Sequence, residues 1–169
     1  MKTLLAIIFT LILINSAYAG EKINGYRDLK WNSPPIEKEM DLLEKRGSFT
    51  FYRYNGDNNI DGIPIDNFTC TFCKNRFCSF FGVINGVQNF SNFTKLMYDM
   101  YGPPNYNKPP YGFWLGETDI FLYFDKKEQA GYFLFYYNPI FTELDMEKAK
   151  LLKKQKQLEP FTNKKFKKK

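Results

Sequence analysis

The chain has 169 residues, 24 Lys and Arg against 18 Asp and Glu, and no histidine. That length holds one domain, or a domain with a tail, and an aromatic content of 19% sets it apart from a disordered charged polymer. Without histidine there is no Ser-His or Cys-His nucleophile, no imidazole acid or base and no histidine metal ligand.

Residues 1–19 have the parts of a secretory signal. Lys2 supplies the charged start, Leu4 to Ile14 the apolar run, and Ala17-Tyr18-Ala19 the small-x-small cleavage site. The apolar run falls short of the roughly 20 residues that span a bilayer. The expected mature chain is therefore Gly20–Lys169, cleaved after Ala19, periplasmic or secreted, with no transmembrane segment left.

The pattern predicts an α+β domain over 20–142. Ser33-Pro34-Pro35 has the chemistry of a helix start, with Ile36, Met40 and Leu43 on one face and Gly47 as its stop. Strands are expected at 49–54, 63–73 and 77–85, all rich in β-branched and aromatic residues. Ser91 then caps a second predicted helix in which Phe93, Leu96, Met97 and Met100 recur at helical spacing up to Gly102. Strands at 112–116, 119–125 and 131–137 follow. Two αβββ units over 30–138 imply an antiparallel sheet of about six strands with helices on one face. Strands 119–125 and 131–137 carry apolar or aromatic side chains on both faces. The second face either meets a partner or turns its tyrosines to water under partial cover from the C-terminal helix.

Charge is concentrated at the end of the chain. Residues 148–169 hold ten lysines against Glu159 alone, a net of +9, whereas residues 20–147 hold thirteen basic and seventeen acidic residues, a net of −4. The basic character belongs to the tail, which speaks against reading the whole domain as a nucleic-acid binder. Residues 143–169 are expected to form a lysine-rich helix ended by Pro160, with a disordered terminus beyond it. Lys153, Lys154, Lys156, Lys164, Lys165, Lys167, Lys168 and Lys169 are candidates for contact with an anionic envelope surface or an acidic partner.

Three clusters stand out. If Asn75-Arg76 is a two-residue turn, Cys73 lies opposite Cys78, close enough for a disulfide, and Cys70 falls opposite Phe81 as a small apolar residue. Three cysteines without histidine do not make a zinc site, and no cofactor or metal is called for. Asp57-Asn58-Asn59-Ile60-Asp61-Gly62 matches the opening of a calcium loop but has Phe68 where the closing Glu belongs, so a hairpin turn at Asp61-Gly62 is favoured. The loop GPPNYNKPPYG (102–112) is proline-stiffened and brings Tyr106, Tyr111 and Trp114 near an edge as candidate binding residues.

Tyr26-Arg27-Asp28-Leu29-Lys30-Trp31, Tyr101-Gly102-Pro103 and the paired aromatic strands around the second helix resemble a loose group of small exported bacterial proteins of unknown function. The group usually has Gly where this chain has Asn32. The fold implied is similar to that of beta-lactamase-inhibitor proteins and small outer-membrane assembly lipoproteins, which act by binding other proteins. The leading expectation is an exported, non-enzymatic protein that binds an envelope partner. The alternatives are a hydrolase using Asp57, Asp61 and Asp66, or a calcium-stabilised structural module.

Overall fold

The computed structural model describes residues 23–165, with side chains described as far as Lys153. The signal segment 1–19 and Lys167, Lys168 and Lys169 lie outside the described residues. The strands are β1 (Gly25–Tyr26), β2 (Leu29–Lys30), β3 (Met40–Arg46), β4 (Phe49–Tyr54), β5 (Asn59–Ile60), β6 (Ile63–Pro64), β7 (Asp66–Cys73), β8 (Arg76–Asn85), β9 (Tyr106–Lys108), β10 (Tyr111–Trp114), β11 (Thr118–Asp125) and β12 (Ala130–Tyr137). The helices are α1 (Val87–Tyr101) and α2 (Asn138–Lys165). Eight strands form one antiparallel sheet in the order β3-β4-β7-β8-β12-β11-β10-β9. The α+β class is as expected, and the sheet is two strands wider.

Each half of that sheet is a four-strand meander whose last strand, β8 or β12, meets the other at the centre and is followed by a helix. The repeat in the sequence is therefore ββββα, not αβββ. Residues 33–47 form no helix: a 3₁₀ turn at Glu37–Glu39 leads into β3. The reason is burial. Of β3 only Met40 is buried, while Leu42 and Leu43 stay exposed, so no apolar helical face exists to pack. Gly47, at φ +58°, sits in the tight turn that sets Arg46 opposite Phe49. The other added strand, β9, lies inside the proline loop.

α1 starts four residues before Ser91, after Gly86 at φ +87°, and ends where the Gly102 N–H donates to the Tyr98 carbonyl (2.9 Å). Its buried Phe93 and Met97 face the sheet. Close approach rests on Gly131: a Cβ there would stand 1.9 Å from the Phe90 ring. The helices do not share a face. α1 lies over the face built from Phe68, Phe72, Phe80, Phe133 and Phe135, whereas α2 begins at the opposite corner, with Ile140 on Cys73 and Cys78 and Phe141 against Phe49 and Tyr136. The position beside α1 is already taken by the N-terminal segment. Trp31 stacks on Phe77, Phe80 and Tyr137, and backbone bonds tie Asn32 and Ser33 to Phe77. Asn32 makes the turn after Trp31 at φ +70°, a conformation asparagine tolerates.

Cys73 and Cys78 are joined by a disulfide, with Cα atoms 5.9 Å apart. The register behind it differs from the one expected. Lys74 and Asn75, both at positive φ, form the turn, Cys73 pairs with Arg76, and a bulge at Cys78 restores the approach of the two sulfurs. Cys70 falls opposite Phe80, not Phe81. It is fully buried, and desolvation pushes its thiol up to about 12. α2 runs to Lys165, so Pro160 does not end it; proline removes one helical hydrogen bond, and the Lys-, Leu- and Gln-rich residues before it favour helix.

Candidate functional site: an open aromatic sheet face

Strand alternation sorts the side chains of the sheet into two sets. On β11 and β12, Ile120, Leu122, Phe133 and Phe135 point to the covered face and are buried. Their neighbours Phe121, Tyr123, Tyr132, Leu134 and Tyr136 point to the other face and are half-buried. The register carries this second set outward to Tyr111 and Phe113 on β10 and Tyr106 on β9, and inward to Phe81 on β8. β4 contributes Phe49 and Phe51 beyond the threonines of β7.

The rings on this face touch one another in sequence. Tyr106 leans on Phe113 (centroids 5.6 Å apart), Phe113 meets Phe121 edge-on (4.8 Å), and Phe121 stacks on Tyr136 (5.5 Å). A parallel row runs from Tyr111 to Tyr123 (5.2 Å), Tyr132 (6.0 Å) and Phe81 (6.2 Å). Phe141 of α2 caps the first row and, with Phe49, Phe51, Phe81 and Leu134, encloses a concavity of about 480 Å³ floored by Thr69, Thr71 and Ser79.

The phenols of β12 on this face are held by carboxylates. The Tyr136 hydroxyl donates to Asp119 (2.8 Å), which is buried and also accepts from the Gly116 N–H (2.8 Å). Burial and then that bond push the Tyr136 phenol up to about 12. Tyr132 donates to Glu128 (2.6 Å), which raises its pKa, and the raised pKa of Tyr123 comes first from lost hydration. The face is thus apolar in its rings and anionic at its margin, in keeping with the net −4 of residues 20–147. Aromatic rings with wet hydroxyls fit a contact surface, because each ring presents area at little cost in rotamer entropy.

No protein-family model matches this sequence, and no curated protein or solved structure matches it.

The candidates from the sequence divide. Tyr106 and Tyr111 stand on the open face, each about half exposed (48% and 46%). Trp114 is on the covered face: it is buried, edge-on to Tyr98, and its indole N–H donates to the Gly102 carbonyl (2.9 Å). It fastens β10 to the end of α1. Lys153 is exposed on α2, and the backbone of Lys154, Lys156, Lys164 and Lys165 belongs to the same helix. Asp57, Asp61 and Asp66 have separate surroundings. Asp57 is held by Arg27 (2.8 Å) and Asn59, Asp66 by Asn85, and Asp61-Gly62, both at positive φ, form the turn between β5 and β6. Among the described residues no cluster of three metal-ligating side chains occurs, and no helix is long and apolar enough to cross a membrane. Phe121 and Tyr136 were visible in the sequence only as members of strands with two aromatic sides, Phe113 as a neighbour of the proline loop, and Phe81 as the expected partner of Cys70.

Proposed function

We propose that this chain is an exported, non-enzymatic binding protein of the bacterial envelope whose open aromatic face receives a protein partner. On this reading the lysines of α2 and the terminus add attraction to an anionic surface. The observation that carries it is the continuous array of rings from Tyr106 to Phe81 and Phe141, half-buried yet uncovered by any other described element. Contiguous apolar area of this kind marks interaction sites, and interface cores are enriched in Tyr and Phe. The phenol–carboxylate margin supplies polar rim contacts. Lysines near an anionic membrane contribute about 1 kcal/mol each at low salt, so the tail would concentrate the protein at a surface while the face selects the partner.

The test is affinity purification of the tagged protein from its native cells, with two variants. Tyr106→Glu with Tyr111→Glu places charge at the outer end of the face, where both side chains are already exposed, and should abolish recovery of the partner. Removal of 148–169 should lower the yield at low salt and retain the partner. Loss of every association on truncation alone, with the tyrosine variant binding normally, would overturn the assignment of the face.

A further inference from the structure

On the covered side of the sheet α1 sits over the central strands, with Phe93 against Phe133 and Phe90 above Gly131. The outer strands β10 and β11 therefore lack a helix above them. What remains is a groove of about 560 Å³ between α1 and the proline loop, within the ~300–1,000 Å³ typical of small-molecule sites. It is lined along α1 from Val87 to Tyr98, which at 1.5 Å per residue is a length of roughly 16 Å.

Its chemistry is simple. Phe90 and Tyr98 form one wall, Pro109 and Pro110 the facing one, and Leu122 and Phe124 the floor. Gly112 lies on that floor in mid-strand, where the nearest atoms to a Cβ would be those of Trp114 (3.4 Å) and Leu122 (3.9 Å), at ordinary contact distance. The groove thus owes part of its depth to a missing side chain that the backbone would accept. β10 pairs with β11 without a bulge there, so close approach of another group is the reading left for this glycine. Two charged residues line it, Lys95 and Lys126, and among the described residues neither is ion-paired. Lys126 belongs to the end nearest the start of α1, since it follows Phe124, which packs on Phe90 (5.2 Å). The first turn of α1 has no acidic residue, so the partial positive charge of the helix end acts in the same sense as the lysine.

We infer that this groove binds a single-chain lipid anion, a long-chain carboxylate whose alkyl chain lies along α1 over Gly112 and whose head is held by Lys126 at the start of α1, with Lys95 adding positive charge along the wall. An elongated apolar trough with an unpaired cation and a helix N-terminus at one end, and a second lysine along its wall, matches that ligand in shape and charge. A compact polar ligand would leave the trough empty, and a cationic amphiphile would meet the lysines.

The inference does not depend on the open face and is tested separately. The purified protein is titrated calorimetrically with dodecanoate below its micelle concentration, beside dodecanol and dodecyltrimethylammonium. Saturable one-site binding of dodecanoate is expected, weakened by at least about tenfold in Lys95→Glu with Lys126→Glu. That double variant keeps every lysine of 148–169, so it separates groove binding from attraction to the tail. Gly112→Val should fill the floor and abolish binding with the melting temperature retained. The proposal is overturned if dodecanoate does not bind, if Gly112→Val binds it as well as the parent does, or if the cationic amphiphile binds equally. A concentration-dependent dimer that Gly112→Val disrupts, with no dodecanoate binding, would overturn it in favour of a second copy in the groove.

Discussion

The two faces of the central sheet are built from almost the same residue types and have opposite fates. The covered face holds Phe68, Phe72, Phe77, Phe80, Phe133 and Phe135, all nearly inaccessible, under α1 and the N-terminal segment. The open face holds Phe121, Tyr123, Tyr132 and Tyr136 on β11 and β12, half-exposed. Hydrophobicity alone does not separate them. Within β12 the hydroxyl contributes: Phe133 and Phe135 point inward, and the phenols of Tyr132 and Tyr136 point to the side where carboxylates and water can receive them. On β12 the tyrosines Tyr132 and Tyr136 thus mark the side left open.

Truncation on each side breaks that comparison most sharply. Phe133→Ala removes a ring packed against Phe68, Phe80, Phe93 and Phe135, and should cost about 3–5 kcal/mol in urea unfolding. Phe121→Ala, one strand away on the open face, should cost about 1 kcal/mol. Equal losses would mean that the open face is covered in solution.

The disulfide tests where the faces join. It closes a small loop at the corner where Ile140 and Phe141 seat α2. Cys73→Ser with Cys78→Ser should lower stability by about 2 kcal/mol on the chain-entropy account. Reduction of the parent should reproduce that loss, and Cys70→Ala should not, because Cys70 forms no bridge.

Tyr136 sharpens the comparison by pH. Its phenol is raised from the ordinary 10.0 to about 12, so the folded state binds the proton more tightly than the unfolded state does. The stability it contributes is complete below pH 10 and is lost as pH rises toward 12. Asp119→Asn keeps the burial, which is the larger cause, and removes the charge. Ultraviolet titration should then show Tyr136 ionising earlier than in the parent while remaining later than a free tyrosine.

Much of the sheet was legible because β-branched and aromatic runs between Asn, Asp and Gly fall where β4, β7, β8, β11 and β12 lie. The first helix misled for a local reason: Ser33-Pro34-Pro35 and Gly47 are sound end signals, but pairing of Met40–Arg46 with β4 outweighs them. β9 was hidden by the prolines beside it. The cysteine pair was legible from proximity in a hairpin, whereas its register was not, since a bulge cannot be read from two turn residues. Trp114 was read only as lying near an edge; its burial was not legible, because the Gly102 carbonyl that receives its N–H is brought there by the end of α1. The groove depends on where α1 settles, and no pattern within the helix records that.

The smallest effect concerns how α2 stays at its corner without a broad apolar face. Beyond Ile140, Phe141 and Leu144 its attachment is polar: Arg76 donates to Glu143 (2.9 Å) and Lys74 pairs with Glu147, both partly exposed. The Arg76 guanidinium holds the Glu143 carboxyl below its ordinary range, so its contribution is present above that range and fades as pH falls through it. Glu143→Gln should leave the unfolding midpoint almost unchanged at neutral pH, as exposed ion pairs do, and the parent and variant should coincide in acid. Amide exchange is the sharper readout. The first turns of α2 should exchange faster in the variant than in the parent at neutral pH, while the Phe93–Met97 segment of α1, seated by burial, should not change. Equal protection in both would mean that Ile140, Phe141 and Leu144 alone anchor the helix and that the Arg76–Glu143 pair does not hold it to the domain.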